Sequence, residues 1–465
     1  MQYKKVNGEH IKIFETIVGA GNVFNKKEQT EHYSHDYSED LNFIPEVVLL
    51  PRTAEEISSV LKLCNEEKIP VTPRGAGTGL SGGALPVFGG VVISMERFNK
   101  IIEIDERNFQ ATVEPGVINE DFQNAVIEKG LFYPPDPASK GSCFLGGNLA
   151  HSSGGPRALK YGTTRDYVLN MEIVLPTGEI IWTGANTLKY STGYNLTQLM
   201  IGSEGTLGII TKIVFKLIPY PKHNLLMLAS FSSAEKACEA VNGIFKAGFI
   251  PSVCEFVESE GFRLSSEMLN IHFEMKENVQ AYLLIEVDGN DLELIMKECE
   301  RIGEVLYNFS CVDVLFADSS EQKEHFWKLR RSVGEAVKAH SVFKEEDTVV
   351  PRAELPVLFN GVRMIAKKYG FKAVCYGHAG DGNLHVNILK DQLSDEDWNN
   401  KINDGVKEIF ELCKKLKGTI SGEHGIGFVQ KKFMPIMFTE FHLDLMRKIK
   451  LVFDPNNILN PGKIF

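Results

Sequence analysis

Residues 73–83 read Pro-Arg-Gly-Ala-Gly-Thr-Gly-Leu-Ser-Gly-Gly, and five of the eleven are glycine. Glycine accepts positive φ and close backbone approach. Successive N–H groups in such a run can therefore converge on an anion, as phosphate-binding nests do. Ile69-Pro70-Val71-Thr72 precedes the run and Gly90-Val91-Val92-Ile93-Ser94 follows it. Both have strand character, which argues for a loop held between strands rather than a flexible surface loop. Gly77, Gly79 and Gly82 fall at G-x-G-x-x-G spacing. A Rossmann fingerprint also needs a helix opening directly after it, and Gly83-Ala84-Leu85-Pro86-Val87-Phe88-Gly89-Gly90 has no amphipathic period. The loop predicts a pyrophosphate cradle outside a Rossmann domain.

A chain of 465 residues has room for about three domains. Net charge is -11, which argues against a nucleic-acid or anionic-membrane footprint. No apolar run approaches the roughly 18–20 residues of a membrane span. Met1-Gln2-Tyr3-Lys4-Lys5-Val6 has no signal-peptide core behind it. Eight cysteines are scattered without a C-x-x-C, which argues against an iron–sulfur cluster or a Cys-rich zinc site and predicts reduced, buried thiols. A cytoplasmic location is expected.

In chain order, a short helical pattern covers 10–18 and a strand covers 46–50. Thr53 and Glu56 then form a capping box ahead of the apolar stripe Ile57, Val60, Leu61 and Cys64. This β-α-β unit ends in the glycine loop. A second strand–helix unit spans 110–128 and stops at Gly130. Residues 133–166 are irregular and small-residue rich, which reads as ordered lining. Strands over 168–175 and 179–182 flank Pro176-Thr177-Gly178, and a third glycine loop over 201–211 leads into a strand over 213–217. After Pro219-Tyr220-Pro221 two β-α-β units follow in tandem, 225–257 and 281–316, which predict a small antiparallel sheet backed by helices. One helix over about 322–339 carries Trp327 and Arg330. A strand over 372–376 follows it.

That strand enters Gly377-His378-Ala379-Gly380-Asp381-Gly382-Asn383-Leu384-His385-Val386-Asn387. Asp-Gly between alternating runs is a type I′ hairpin signal. With Asp381 and Gly382 as the two loop residues, His378 pairs directly across from His385 and Asn387 shares their face. Two imidazoles so placed can share a divalent metal if a carboxylate joins them. Ser421-Gly422-Glu423-His424-Gly425-Ile426-Gly427 offers Glu423. The plain alternative is that these histidines are surface or satisfied core residues.

Together, residues 73–83, 142–148, 201–210, 378–387, 421–427 and 454–463 resemble the FAD-linked oxidases of the vanillyl-alcohol-oxidase type. The nearest branch holds D-lactate dehydrogenases, D-2-hydroxyglutarate dehydrogenase and the catalytic subunit of glycolate oxidase. The resemblance runs over about 40–465. It implies an α+β chain with an N-terminal segment 1–42 and a two-subdomain FAD-binding domain of PCMH type over 43–221. A ferredoxin-like substrate or cap domain over 222–417 and a C-terminal segment 418–465 returning to the flavin complete it. FAD is expected to be non-covalent, because the first loop lacks the histidine that tethers flavin in some relatives. The cofactor residues implied are Arg74, Gly75, Ala76, Gly77, Thr78, Gly79, Ser81 and Gly82, then Ser142, Gly146, Gly147, Asn148 and Ser153, with Glu204, Gly208, Ile209 and Asn460.

The same resemblance implies His378, His385 and Glu423 as ligands of a divalent metal, zinc first and manganese or iron next. His424 would be the base, Arg330 the carboxylate clamp and Asn387 a further hydrogen-bond partner of the substrate. Where some members place a lysine near a D-x-x-x-P segment, this chain carries Glu345, a departure that bears on dicarboxylate substrates. The residue types suit oxidation of a small D-2-hydroxy acid, D-lactate or glycolate-like. A cation lowers the hydroxyl pKa, a neutral histidine takes the proton, and an arginine grips a planar carboxylate bidentately. The flavin does the redox step. With no nicotinamide fold and no cysteine cluster, electrons are expected to leave to an external acceptor: an electron-transfer flavoprotein, a quinone or an iron–sulfur subunit. Such a partner could also tether the chain peripherally to a membrane. The competing readings are a non-redox transferase of the alkyl-dihydroxyacetonephosphate synthase type and a non-catalytic flavin subunit. Transferases of that type carry a histidine run where this chain has Ser421-Gly422-Glu423-His424, and a non-catalytic subunit has no use for the His/Glu/Arg set.

Overall fold

The computed structural model describes residues 3–38 and 41–465. It divides into two compact units. Unit 1 comprises Met1–Gly154, Thr163–Tyr220 and Glu423–Phe465; unit 2 comprises Gly155–Gly162 and Pro221–Gly422.

Unit 1 begins with helix α1 (Gly8–Val18), the short strand β1 (Val23–Phe24) and β2 (Val47–Leu49). Helix α2 (Ala54–Glu67) starts where Thr53 accepts a hydrogen bond from Glu56 N. Half of the expected capping box forms: the Glu56 carboxylate turns instead to Arg52 N. Ile57, Val60, Leu61 and Cys64 bury that helix against β2, β3 (Val71–Arg74) and β4 (Val91–Ser94). The sheet order is β1-β2-β4-β3, with β2 and β3 both parallel to β4. Pro73 is tolerated within β3 because β3 lies at the sheet edge, where a missing N–H breaks no ladder. The glycine loop joins β3 to β4 without a helix, as expected.

The strand–helix unit over 110–128 is not a second parallel crossover. Its strand β6 (Gln110–Val113) belongs to a separate antiparallel sheet with β5 (Ile101–Asp105), and α3 (Asn119–Ile127) leads away from it. The 133–166 stretch is less irregular than expected, because Leu145–His151 forms helix α4. Strands β7 (Val168–Val174), β8 (Ile180–Trp182) and β9 (Ile209–Lys216) complete the order β5-β6-β9-β7-β8. The third glycine loop reaches its strand four residues earlier than the pattern indicates. The C-terminal segment belongs to this unit: Val71 bridges to Leu459, and Ile458 and Leu459 sit in the core with α2.

Unit 2 takes in helix α5 (Ala158–Tyr161), held by Lys160 and Tyr161 on Asp288 and by Arg157 on Glu286. The two β-α-β halves are β10 (His223–Phe231), α6 (Ala234–Lys246) and β11 (Val253–Glu258), then β12 (Ala281–Gly289), α7 (Leu292–Tyr307) and β13 (Cys311–Phe316). They interleave as β13-β10-β12-β11, the ferredoxin-like order. The helix expected over 322–339 is two helices, α8 (Ser320–Arg331) and α9 (Val333–His340), separated at Ser332. Beyond them, β14 (Phe343–Val349), α10 (Leu355–Tyr369), β15 (Lys372–Gly377), β16 (Asn383–Leu389) and α11 (Asp395–Lys415) follow. The sheet is larger than predicted: β15, β16 and β14 extend the four strands to seven, all antiparallel.

Candidate functional site

Unit 1 contains a cavity where its three glycine loops meet. Arg74, Gly75, Gly146, Gly147, Glu204, Gly208 and Ile209 line it, all expected from the sequence, together with Gly83, Ala84, Pro115, Ala150, His151 and Ser203. Ala76, Gly77, Thr78, Gly79, Ser81, Gly82, Asn148 and Ser153 lie in or beside the loops without lining it, and Ser142 is exposed. The cavity leaves buried polar groups for a ligand to answer. Arg74 Nη1, Ser81 Oγ and His151 Nε2 are buried without a hydrogen-bond partner among the described residues, a costly state unless a ligand answers it. At Gly147 an added Cβ would meet no protein atom within 4 Å.

Arg74 lines the cavity and Asn460 lies outside its lining. Arg74 folds its guanidinium over Gly77 of its own loop, donating Nη2 to His35 O at 2.8 Å and lying 5.7 Å over the Tyr33 ring. Asn460 spends its amide on protein: Nδ2 donates to Gly83 O (3.0 Å) and Glu204 O (2.8 Å), and Oδ1 accepts from Lys463. It staples the C-terminal segment to two glycine loops. Burial pushes the Lys463 amine down to about 7. His151 was hidden in a glycine-rich stretch. Its Nδ1 bonds Gly147 O at 3.0 Å, one helical turn back in α4, which leaves Nε2 facing the cavity.

Unit 2 gathers a second set of groups on one face of its sheet. Tyr376, His385 and Asp347 stand opposite one another on β15, β16 and β14, and Val374, Asn387 and Glu345 form the next row. This register corrects the expected hairpin: Tyr376, not His378, pairs with His385. The connection is a 3-10 turn over Ala379–Asp381 followed by Gly382, and His378 has already left the strand with ψ 71°. His378 still comes close, its ring centroid 5.4 Å from that of His385 and nearly perpendicular.

The reason is Glu255 on β11, a carboxylate the sequence reading missed. Fully buried, it holds His378 Nδ1 through Oε1 at 2.8 Å and Arg330 Nη2 through Oε2 at 2.5 Å. Burial would push its carboxyl up, but the charges of His378 and Arg330 outweigh that and hold it low. Arg330, from α8, also lies 4.9 Å over the Tyr376 ring. Tyr376 donates to Glu345 Oε1 at 3.0 Å, and that oxygen lies 3.4 Å from His385 Nδ1. Asn387 is fully buried in β16. A histidine whose Nδ1 is tied to a carboxylate presents a fixed Nε2, the second-shell arrangement common to metal-ligating imidazoles. The donor chemistry of His378 and His385 thus fits a divalent cation, and a buried guanidinium beside them fits a carboxylate ligand. The sequence could have flagged Glu255 only as a charged residue inside an otherwise apolar strand, Val253-Cys254-Glu255-Phe256-Val257.

Glu423 and His424 open the C-terminal part of unit 1, where Glu423 Oε2 accepts from Gly154 N at 3.1 Å. Among the described residues, no helix is long and apolar enough to cross a membrane.

Comparison with known proteins agrees with both halves. Residues 45–184 match the FAD binding domain family, and residues 220–464 match the family described as FAD linked oxidases, C-terminal domain. The chain is 40% identical over 436 residues to the glycolate oxidase subunit GlcD of Bacillus subtilis (strain 168), covering 93% of this chain and 92% of that one. It is 39% identical over 469 residues to a D-lactate dehydrogenase of Anaerostipes hadrus, covering 100% and 98%. The solved structure of p-cresol methylhydroxylase with substrate bound superposes with a TM-score of 0.82 at 20% identity, over 99% of this chain and 97% of that one. That likeness establishes the fold.

Proposed function

Since the chain belongs to the FAD-linked oxidases, we propose that it oxidises a small D-2-hydroxy acid, of the D-lactate or glycolate kind, to the 2-oxo acid. The observation that carries the substrate class is the buried Arg330–Glu255–His378 cluster beside His385 and Asn387. A guanidinium beside imidazoles supports this reading, because a carboxylate wants a cation and a hydroxyl wants a proton acceptor. FAD, when bound in the unit 1 cavity, supplies the acceptor for the hydride leaving Cα.

In this reading Arg330 orients the substrate carboxylate, and Asn387 adds a hydrogen bond. His424 takes the hydroxyl proton as a neutral imidazole. His378, His385 and Glu423 would hold a divalent cation, zinc foremost, which lowers the hydroxyl pKa. Glu255 keeps the His378 ring and the Arg330 guanidinium turned. Electrons then leave to an external acceptor. The relative named as an oxidase subunit supports a partner in that role.

The test is direct. The purified protein should be yellow, and its flavin should bleach anaerobically with D-lactate or glycolate but not with L-lactate. Bleaching by neither acid overturns the substrate class. A His424→Ala variant that bleaches at the wild-type rate removes the proton-acceptor role, and chelation without effect removes the metal.

A further inference from the structure

The Glu423–His424 pair is the part of the proposed machinery with no strand or helix beneath it, yet its backbone is held on both sides by buried carboxylates. On the upstream side, within unit 2, Asp347 Oδ2 accepts from Gly422 N at 2.7 Å and from Ser421 Oγ at 3.1 Å. On the downstream side, within unit 1, Glu204 accepts from Ile426 N through Oε1 and from Gly427 N through Oε2, both at 2.7 Å. Asp347 is 3% exposed and Glu204 5%. Hydrogen bonds to an ionised acceptor are short and strong, and two from one carboxylate also fix direction.

The glycines around the pair follow from these anchors. Gly425 has φ +82°, and a Cβ there would lie 2.6 Å from His151 Cδ2 and 3.0 Å from Glu204 Oε1. At Gly427, with φ +51°, a Cβ would fall 2.2 Å from Ser81 O. A side chain at Gly425 would crowd His151 and Glu204, and one at Gly427 would clash with the Ser81 backbone. Glu204 itself holds a left-handed φ of +52°, a conformation that persists in a non-glycine residue when its surroundings over-determine it.

We propose that Glu204 and Asp347 are positioning residues for His424, fixing the backbone before and after it and so the direction in which its imidazole points. This rests on the reading of His424 as the proton acceptor. Neither acid touches the substrate in this role. Glu204 also borders the cofactor cavity, so the anchor and the flavin site share one carboxylate.

The experiment is a kinetic double-mutant cycle on the full-length, FAD-loaded protein, with D-lactate and an artificial dye as electron acceptor. Glu204→Gln and Asp347→Asn are each made alone and with His424→Asn. Each single carboxylate variant should retain stoichiometric FAD, keep its KM for D-lactate within about two-fold, and lose about ten- to hundred-fold in kcat. Adding His424→Asn should cost nothing further than His424→Asn alone, because the changes act through one group. Equal losses in both backgrounds, losses that track missing FAD, or wild-type kcat in both carboxylate variants overturn the proposal and leave the function intact. Wild-type kcat in His424→Asn overturns the reading beneath it. If Glu204→Gln does not fold, the Asp347 cycle decides by the same criteria.

Discussion

Glu255 shows how much one buried charge can organise. A carboxylate with no exposed surface is costly unless paired, and here its two oxygens meet an imidazole and a guanidinium from different elements. Removing it would take from the imidazole and the guanidinium the carboxylate that joins them. Glu255→Ala should therefore destabilise the protein by about 3–5 kcal/mol, the usual cost of breaking a buried pair from one side, measured as a lower unfolding midpoint in urea. His378, His385 and Asn387 stand out in the sequence by residue type and glycine framing, whereas Arg330 is singled out only by the family resemblance. Glu255 was not legible, because it lies 123 residues from His378 and nothing in its own strand names a partner. The orphaned Nε2 of His151 is visible only once the cavity exists.

Elements were read well where a local rule acts alone. Helix α2 follows its apolar stripe and opens where Thr53 accepts from Glu56 N. Thr53→Ala should cost about 1 kcal/mol, seen as a small shift in thermal midpoint with activity unchanged. The histidine connection shows the limit of such rules. Asp381-Gly382 has the composition of a two-residue turn, but the tie from His378 to Glu255 draws the chain out of the strand, and a longer turn results. The two-helix form of α8 and α9 was equally hidden, since Ser332 breaks the backbone without a glycine or proline to announce it. The antiparallel placement of β6 depends on which strand it meets, and β9 begins 96 residues after β6 ends.

Across the whole chain, all eight cysteines are free and buried. Burial pushes the Cys375 thiol up to about 11 and those of Cys299 and Cys413 up to about 12. Thiolate is the reactive form, and it forms only as pH rises through the thiol pKa. The native protein at pH 8 should therefore show almost no thiols to a disulfide reagent, and all eight after denaturation. The scattered spacing already implied reduced thiols, because nothing in it could build a cluster. The glycine runs determined a phosphate cradle outside a Rossmann domain, and motif order carried the resemblance that implies FAD and the α+β architecture, since these depend on local backbone needs and on residue chemistry. Only tertiary structure decided which carboxylates serve which groups: Glu255 on His378 and Arg330, Glu204 and Asp347 on either side of His424. Such pairings are set by strand order and chain return. The glycine loop over 73–83 is itself completed by Asn460, whose amide reaches Gly83 O from 377 residues away.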